Sequence, residues 1–328
     1  MKLSICIPTF NRMELLKECL ESILPEARRY QIPILVADNF SDDGTRDMLA
    51  EFRVRYPLLS FNASTQRVPL WEGITQSVAM ASSEFCWLFS DDDCIFGNPI
   101  ERILEALSLN AGVVIVNATA KTKDLSVTIE DRRLQIEDDI IYAPGEHESF
   151  LTNTAFYLTF LGCVVVHRER FLENQAVHEK ETYFRHLVSM LSYCHLFPIY
   201  IIAQPCISIR LQNAAWTSRR FEVLMIDWPR AIWSLPKRFS FNCKRSVVQQ
   251  FRIGSIKEMI AARAFGMFNP STYKDYIEGS HSVTFLKKKI LKIVVKLPIR
   301  PMRLLFFFYL SIFRPRGYRV YIYDLVHT

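Results

Sequence analysis

With 328 residues, half of them apolar, the chain is long enough for one large α/β domain plus an appendage, or for two modest domains, and can bury a sizeable core. Forty Lys and Arg against 34 Asp and Glu leave a net charge of +6, too small to define a partner by itself, so the distribution of charge matters more. Eight cysteines scattered singly, without a CxxC pair or a Cys/His cluster at zinc spacing, argue against a disulfide framework or a structural zinc and fit a reducing compartment.

The opening "MKLSICIPTF" has only a short apolar stretch before Pro8 and no small-residue cleavage site. It reads as a first strand, LSICI, rather than a signal peptide, and a cytoplasmic protein is expected. Asn11 can cap a following helix with Glu14 three residues on, and Leu15, Leu16, Cys19, Leu20, Ile23 and Leu24 form its apolar stripe. A second strand, IPILVA, ends at Asp38; the turn-rich "NFSDDGT" leads into a helix carrying Met48, Leu49 and Phe52. "LSFNAS" is a third strand, "EGITQSVAMAS" a short helix, and "FCWLF" a fourth strand whose carboxyl end carries Asp91, Asp92 and Asp93. Regular alternation of this kind predicts an α/β fold with a mostly parallel sheet and flanking helices.

Three polar clusters, "PTFNR", "DNFSDDGT" and "SDDD", thus follow strands at one sheet edge, where open α/β sheets bind ligands. Each alone reads equally as a solvated loop, and an acidic triplet as a turn pointing into water. Together they offer a carboxylate, a basic group and a divalent-metal site, the parts a nucleoside diphosphate needs. Three adjacent carboxylates also oppose one another's ionisation unless a cation or proton relieves them.

"CIPTFNR", "ADNFSDDGT" and "WLFSDDD", in this order and spacing, resemble the family 2 glycosyltransferases of GT-A fold, over about residues 1 to 210. "FLGCVVVHRERF" and "PCISIRLQNAAW" are most similar to the branch that adds abequose or related deoxyhexoses to lipid-linked O-antigen units. The resemblance implies that Pro8, Thr9, Asn11 and Arg12 line a nucleotide pocket, that Asp38 meets the base, and that Arg67 faces the diphosphate. It implies that the triplet is a DxD motif, with Asp91 and Asp93 contacting Mg²⁺ or Mn²⁺ and Asp92 turned to the ribose or donor sugar. Inverting transfer needs a base, which the family takes from an "ED" pair. Here Glu181 stands on the Glu and Thr182 on the Asp, with His178 and Glu179 as neighbouring alternatives.

Residues 118 to 149, of mixed charge and little periodicity, read as an acceptor-side insertion or a flap. In "RLQNAAW", Arg210 suits an acceptor phosphate and Trp216 a sugar face, with a core Trp and a surface Arg as the alternative. A division follows at residue 216: a GT-A domain over 1–216 and a helical region over 217–328. The tail "FLKKKILKIVVKLPIRPMRLLFFFYLSIFRPRGYRVYIYD" mixes cations with bulky apolar residues, and its longest apolar run falls well short of the roughly 20 residues that span a bilayer. It is expected to lie on an anionic membrane surface, which would make the protein peripheral on the inner face of a bacterial inner membrane; a core helix with a basic outer face is the alternative. No nucleic-acid-binding fold is recognisable. A sugar-nucleotide nucleotidyltransferase would carry a Gly-rich loop where "PTFNR" has none, a DxDxT phosphatase needs Thr where Ile95 stands, and an inactive membrane scaffold would not need all three carboxylates.

Overall fold

The computed structural model describes residues 1–175, 182–213, 216–249, 251–315 and 317–327. The uncharged run LSICIPT is β1 (Leu3–Thr9), buried along its whole length because it is covered on both faces and flanked on both edges. It pairs in parallel with β2 (Ile34–Asp38) and β4 (Phe85–Leu88), and β2 pairs in parallel with β3 (Leu59–Ala63). The crossovers are α1 (Met13–Tyr30), α2 (Thr45–Arg55) and α3 (Leu70–Ala79). On α1 the expected stripe is buried at Leu16, Cys19, Leu20, Ile23 and Leu24, while Leu15 is half-buried.

The start of α1 differs from expectation. Asn11 does not cap it: its backbone is left-handed, at φ 49°, and its Oδ1 accepts from the Asp42 N–H at 3.0 Å. The first helical N–H, that of Met13, is instead satisfied by Asp43 Oδ2 at 2.9 Å. A carboxylate from the loop after β2 therefore does a capping task that the local sequence assigns to Asn11. Gly44, at φ 90°, lets that loop turn into α2, and a Cβ there would sit 3.2 Å from Met13 Sδ.

Beyond β4 come β5 (Cys94–Ile95), α4 (Pro99–Ser108), β6 (Val113–Lys121), β7 (Thr128–Glu130), β8 (Ile140–Tyr142), α5 (His147–Thr154), β9 (Val164–His167), α6 (Arg168–Gln175), α7 (Arg185–Tyr193) and β10 (Ile199–Arg210). The sheet order is β3-β2-β1-β4-β9-β6-β10-β5, with β7 on β6 and β8 on β10. Its first four strands are parallel as expected. β9 then enters antiparallel to both β4 and β6, so the other half is mixed. The stretch expected as an insertion or flap is stitched down at two points, β7 antiparallel to β6 and β8 antiparallel to β10. Strands of three residues are too short to leave a readable alternation.

After β10 the chain is helical: α8 (Arg220–Glu222), a π-helical turn at Val223–Asp227, α9 (Trp228–Ser234), α10 (Phe241–Val248), α11 (Ile256–Ala264), α12 (Pro270–Tyr273), α13 (Phe285–Val294), α14 (Ile299–Phe313) and α15 (Tyr318–His327). α9 and α10 contribute Trp228, Ile232 and Val247 to the hydrophobic cluster that runs through the sheet. A second cluster is built by Met259, Phe268, Ile277, Leu291, Val295, Leu310 and Leu325. Pro301 falls in the first turn of α14, where its missing N–H costs nothing, and Pro298 and Pro315 flank the helix. Among the described residues, no helix is long and apolar enough to cross a membrane.

Candidate active site

β1 and β4 run side by side with Cys6 opposite Leu88, so three residues further on Thr9 comes level with Asp91. The Thr9 hydroxyl donates to Asp91 Oδ2 at 2.8 Å. Arg12, one residue before α1, reaches the same place: its Nη1 donates to Asp91 Oδ1 at 3.2 Å and to Asp92 Oδ2 at 2.8 Å. Its Nη2 donates to the carbonyl of Asn213 at 2.5 Å, and the Asn213 amide donates to Asp92 Oδ2 at 2.9 Å. Ser90 Oγ donates to the other oxygen of Asp92. The triplet is therefore no solvated turn. All three carboxylates are buried, Asp93 to 3% exposure.

The third carboxylate is held from the other side of the sheet. β5 and β10 are antiparallel with Cys94 opposite Ser208, which carries Arg210 back alongside Asp92 and Asp93. The Arg210 N–H donates to Asp93 Oδ1 at 2.9 Å, and its Nε to the Asp92 carbonyl at 2.5 Å. Nη1 donates to the Lys123 carbonyl at 2.9 Å and Nη2 to Glu18 on α1. The Arg210 side chain is 3% exposed, and its donors are occupied within the fold. It is a buried brace under the acidic loop rather than the open phosphate ligand that the sequence suggests. The reason is non-local: β10 runs back beneath the triplet.

Burial, followed by the Asp92 charge, pushes Asp91 up to about 6 against the opposing pull of Arg12 and Thr9. Burial and Asp92 raise Asp93 well above the usual carboxylate range, more than the Arg210 N–H bond offsets. Burial pulls the Arg12 guanidinium down, but Asp91 and Asp92 reverse that and hold it above its ordinary value. The cluster thus holds more negative charge than Arg12 neutralises, and Asp91 and Asp93 take up a proton more readily than a free carboxylate does. Hard oxygen donors short of positive charge fit a Mg²⁺ or Mn²⁺ ion. Among the described residues, no three side chains are already gathered into a metal cage.

Asp38, at the end of β2, is wholly buried; Oδ1 accepts from the Ser41 N–H and Oδ2 from Arg46 Nε, each at 3.1 Å. Nothing near Asp38 in the sequence marks Arg46 as its partner, since the pairing runs from a strand end to the first turn of a helix. Pro8 is buried, and Asn11 lies exposed on the loop beside Ser41 and Asp42. Arg67 is exposed and lies over the Phe10 ring, 4.3 Å from its centre, next to the same strand ends. Trp216 is half-buried against the first cluster. Glu181 lies outside the described residues, as do His178 and Glu179. Thr182 is described, and its hydroxyl accepts from the Phe184 N–H at 3.1 Å just before α7. Sequence reasoning missed Glu18 and Arg46, which carry no local signal, and Ser90, which adjoins the triplet.

A parallel α/β half-sheet with a buried acidic triplet, a threonine and an arginine at its carboxyl edge defines a GT-A-like architecture. Residues 4–164 match the model of Glycosyl transferase family 2, and this stretch is a glycosyltransferase domain of that family. The abequosyltransferase RfbV of Salmonella typhimurium is 28% identical over 181 residues, 52% of this chain and 54% of that protein. An uncharacterised glycosyltransferase of Bacillus subtilis, YfnE, is 32% identical over 95 residues, 29% of this chain and 24% of that protein. The chain thus spans about half the length of the first curated relative and a quarter of the second. Among solved structures, S. aureus TarS 1–349 in complex with UDP-GlcNAc superposes with a TM-score of 0.58 at 13% identity, covering 99% of this chain and 90% of that one. The mannosyltransferase PcManGT from Pyrobaculum calidifontis, in complex with GDP-Man and Mn²⁺, gives 0.57 at 13% identity, covering 99% and 84%. At that identity the structures establish the fold.

Proposed function

We propose that the chain is an inverting glycosyltransferase that moves a sugar, abequose or another deoxyhexose, from a nucleoside-diphosphate sugar to a lipid-linked saccharide of the O-antigen type. The observation that carries this reading is the buried triplet Asp91–Asp93 joined to Thr9 and Arg12 at the carboxyl edge of the parallel strands. The abequosyltransferase relative supports the sugar class, and the neighbours bound to UDP-GlcNAc and to GDP-Man with Mn²⁺ support a nucleotide-sugar donor and a divalent metal.

In the proposed reaction an acceptor hydroxyl attacks the anomeric carbon and the bond from that carbon to the diphosphate oxygen breaks. The hydroxyl proton passes to a base, assigned here to Glu181. Asp91 and Asp93 would hold Mg²⁺ or Mn²⁺, which would stabilise negative charge on the departing diphosphate. Pro8, Thr9, Asn11 and Arg12 line the nucleotide pocket with Arg12 on the phosphates, Asp92 faces the ribose or donor sugar, Asp38 orients the base, and Arg67 faces the diphosphate. Arg210 keeps Asp92 and Asp93 in place from beneath. Trp216 is assigned to the acceptor sugar.

The proposed location is the cytoplasmic face of the inner membrane, bound peripherally. α13 and α14 leave Phe285, Leu286, Ile293, Leu304, Leu305, Phe308, Ile312 and Phe313 exposed. Lys287, Lys289, Lys292, Lys296 and Arg300 are exposed beside them, a combination suited to anionic lipid. Lys288 and Arg303 are tied inward, to the carbonyls of Glu278 and Ala264. The deciding experiment offers a panel of sugar nucleotides with polyprenyl-linked oligosaccharides, with and without Mn²⁺. Metal-dependent transfer of one deoxyhexose is the expected result; transfer or donor hydrolysis at full rate in chelator would overturn the assignment of the triplet.

A further inference from the structure

Arg12 closes a ring of three chain segments: the start of α1, the end of β4 and the loop after β10. One guanidinium touches Asp91 Oδ1 at 3.2 Å, Asp92 Oδ2 at 2.8 Å and the Asn213 carbonyl at 2.5 Å. Asn213 answers with its amide on Asp92 Oδ2 at 2.9 Å. The Arg12 side chain is 19% exposed and its two carboxylate partners 9% and 10%, so water and salt screen these pairs far less than a surface ion pair. A guanidinium on a carboxylate oxygen takes up one of its lone pairs and part of its charge, and two cations over one carboxylate repel each other, so Arg12 competes with a metal ion for Asp91 and Asp92.

We infer that Arg12 is a built-in counter-cation for the acidic triplet: it holds Asp91 and Asp92 in the free protein and is released from them when a divalent cation arrives together with a diphosphate. The inference rests on the proposed reading of the triplet as a donor site. A divalent cation alone competes with the guanidinium for the same carboxylates and offers it nothing in return. A cation accompanied by a diphosphate supplies new anionic oxygens, which a planar guanidinium binds in bidentate fashion. Metal and diphosphate therefore bind cooperatively, and by linkage each strengthens the other equally. Arg12 is in this sense a positioning residue in the free protein and a phosphate ligand in the loaded one.

The test is calorimetric titration of the full-length protein with Mn²⁺ alone, and with inorganic diphosphate at fixed Mn²⁺, for the unaltered chain, Arg12→Gln and Arg12→Lys. Arg12→Gln is expected to bind Mn²⁺ alone about tenfold more tightly and diphosphate about tenfold more weakly, each equivalent to ~1.4 kcal/mol. Arg12→Lys, which keeps the charge, is expected to stay within about threefold of the unaltered protein for Mn²⁺ alone. A Gln variant that binds Mn²⁺ alone no more tightly, or a Lys variant that gains as much as Gln, overturns the inference while Mn²⁺-dependent diphosphate binding leaves the donor site standing. Failure of every form to bind Mn²⁺ with or without diphosphate removes both. The guanidinium ¹⁵N signal of Arg12 in the unaltered protein gives an independent reading that needs no variant. It is expected to shift with Mg²⁺ plus diphosphate and not with Mg²⁺ alone; a full shift with Mg²⁺ alone overturns the inference.

Discussion

The two hydrophobic clusters depart from the rule of polar outside and apolar inside in opposite senses. In the first, built on the sheet, ionisable groups are taken inside: Asp38, Asp91, Asp92, Asp93, Arg210 and His186 are all buried. In the second, built from α11 to α15, apolar surface is left outside: α14 buries only Met302 and Leu310, while Leu305 and Ile312 are each 71% exposed. A buried charge costs several kcal/mol unless something compensates it, and a large apolar patch in water forgoes about 25 cal/mol per Å². Neither departure helps the chain fold. In the function proposed above, each departure serves a partner from another molecule, a cation and diphosphate in one case and a lipid surface in the other.

The strongest way to break this comparison is Asp93→Asn. The amide keeps an oxygen for the Arg210 N–H but lacks the charge that holds a metal, so transfer is expected to fall by about 10³-fold or more. Because Asp93 has its pKa raised, ionising it weakens the metal-free fold, and that contribution is lost as pH rises. The variant should therefore be at least as stable as the unaltered protein in chelator at pH 8. A loss of stability parallel to the loss of transfer would show that the carboxylate serves the fold.

His186 tests the same region by pH. Complete burial holds it down at about 4, well below its unfolded value. The unfolded chain thus binds the extra proton first, and the stability present above pH ~6.5 declines as pH falls toward 4, by about 3 kcal/mol. Asp91, raised to about 6, works in the opposite direction over the same window, so the readout is the difference between variant and unaltered protein. Urea unfolding of His186→Leu should show a flatter acid limb; an unchanged slope would place the histidine in contact with water.

The second cluster is sharpened by substitutions on its outer face rather than by truncation, because α13 and α14 supply Leu291, Val294 and Leu310 to the core beneath. Leu305→Asp with Ile312→Asp should weaken sedimentation with anionic vesicles by about 30-fold, close to 2 kcal/mol. Transfer to a lipid-linked acceptor should fall further than transfer to a soluble analogue. Equal losses on both would assign this face to folding. Asp38→Ala carries the smallest effect: nucleotide affinity should fall about tenfold with kcat little changed, since a base contact holds ground and transition states alike. Unchanged affinity for every nucleoside diphosphate would release Asp38 to a purely structural bond with Arg46.

Elements that depend on local pattern were legible in advance. The alternation that yields β1 to β4, the apolar stripe of α1 and the acidic triplet at a strand end are written in runs of a few residues, and the parallel half-sheet follows from them. Features that depend on a partner distant in sequence were not. Asp43 rather than Asn11 caps α1, and Arg210 is taken up by Asp92, Lys123 and Glu18. The polar type of each residue was visible in every case, but the atom it would face was not.

The sequence by itself determined that this chain forms an α/β sheet whose strands end in polar loops on one edge, and that its tail mixes cations with bulky apolar residues. Hydrophobic period and turn chemistry act over one or two turns of chain, and so they survive in the linear order. Only the tertiary structure decided that β9 runs antiparallel, that the triplet lies buried under Arg12 and over Arg210, and which face of α14 is left without a core. Those outcomes depend on contacts between segments as much as 201 residues apart, such as Arg12 with Asn213, whose geometry exists only once the sheet has closed around them.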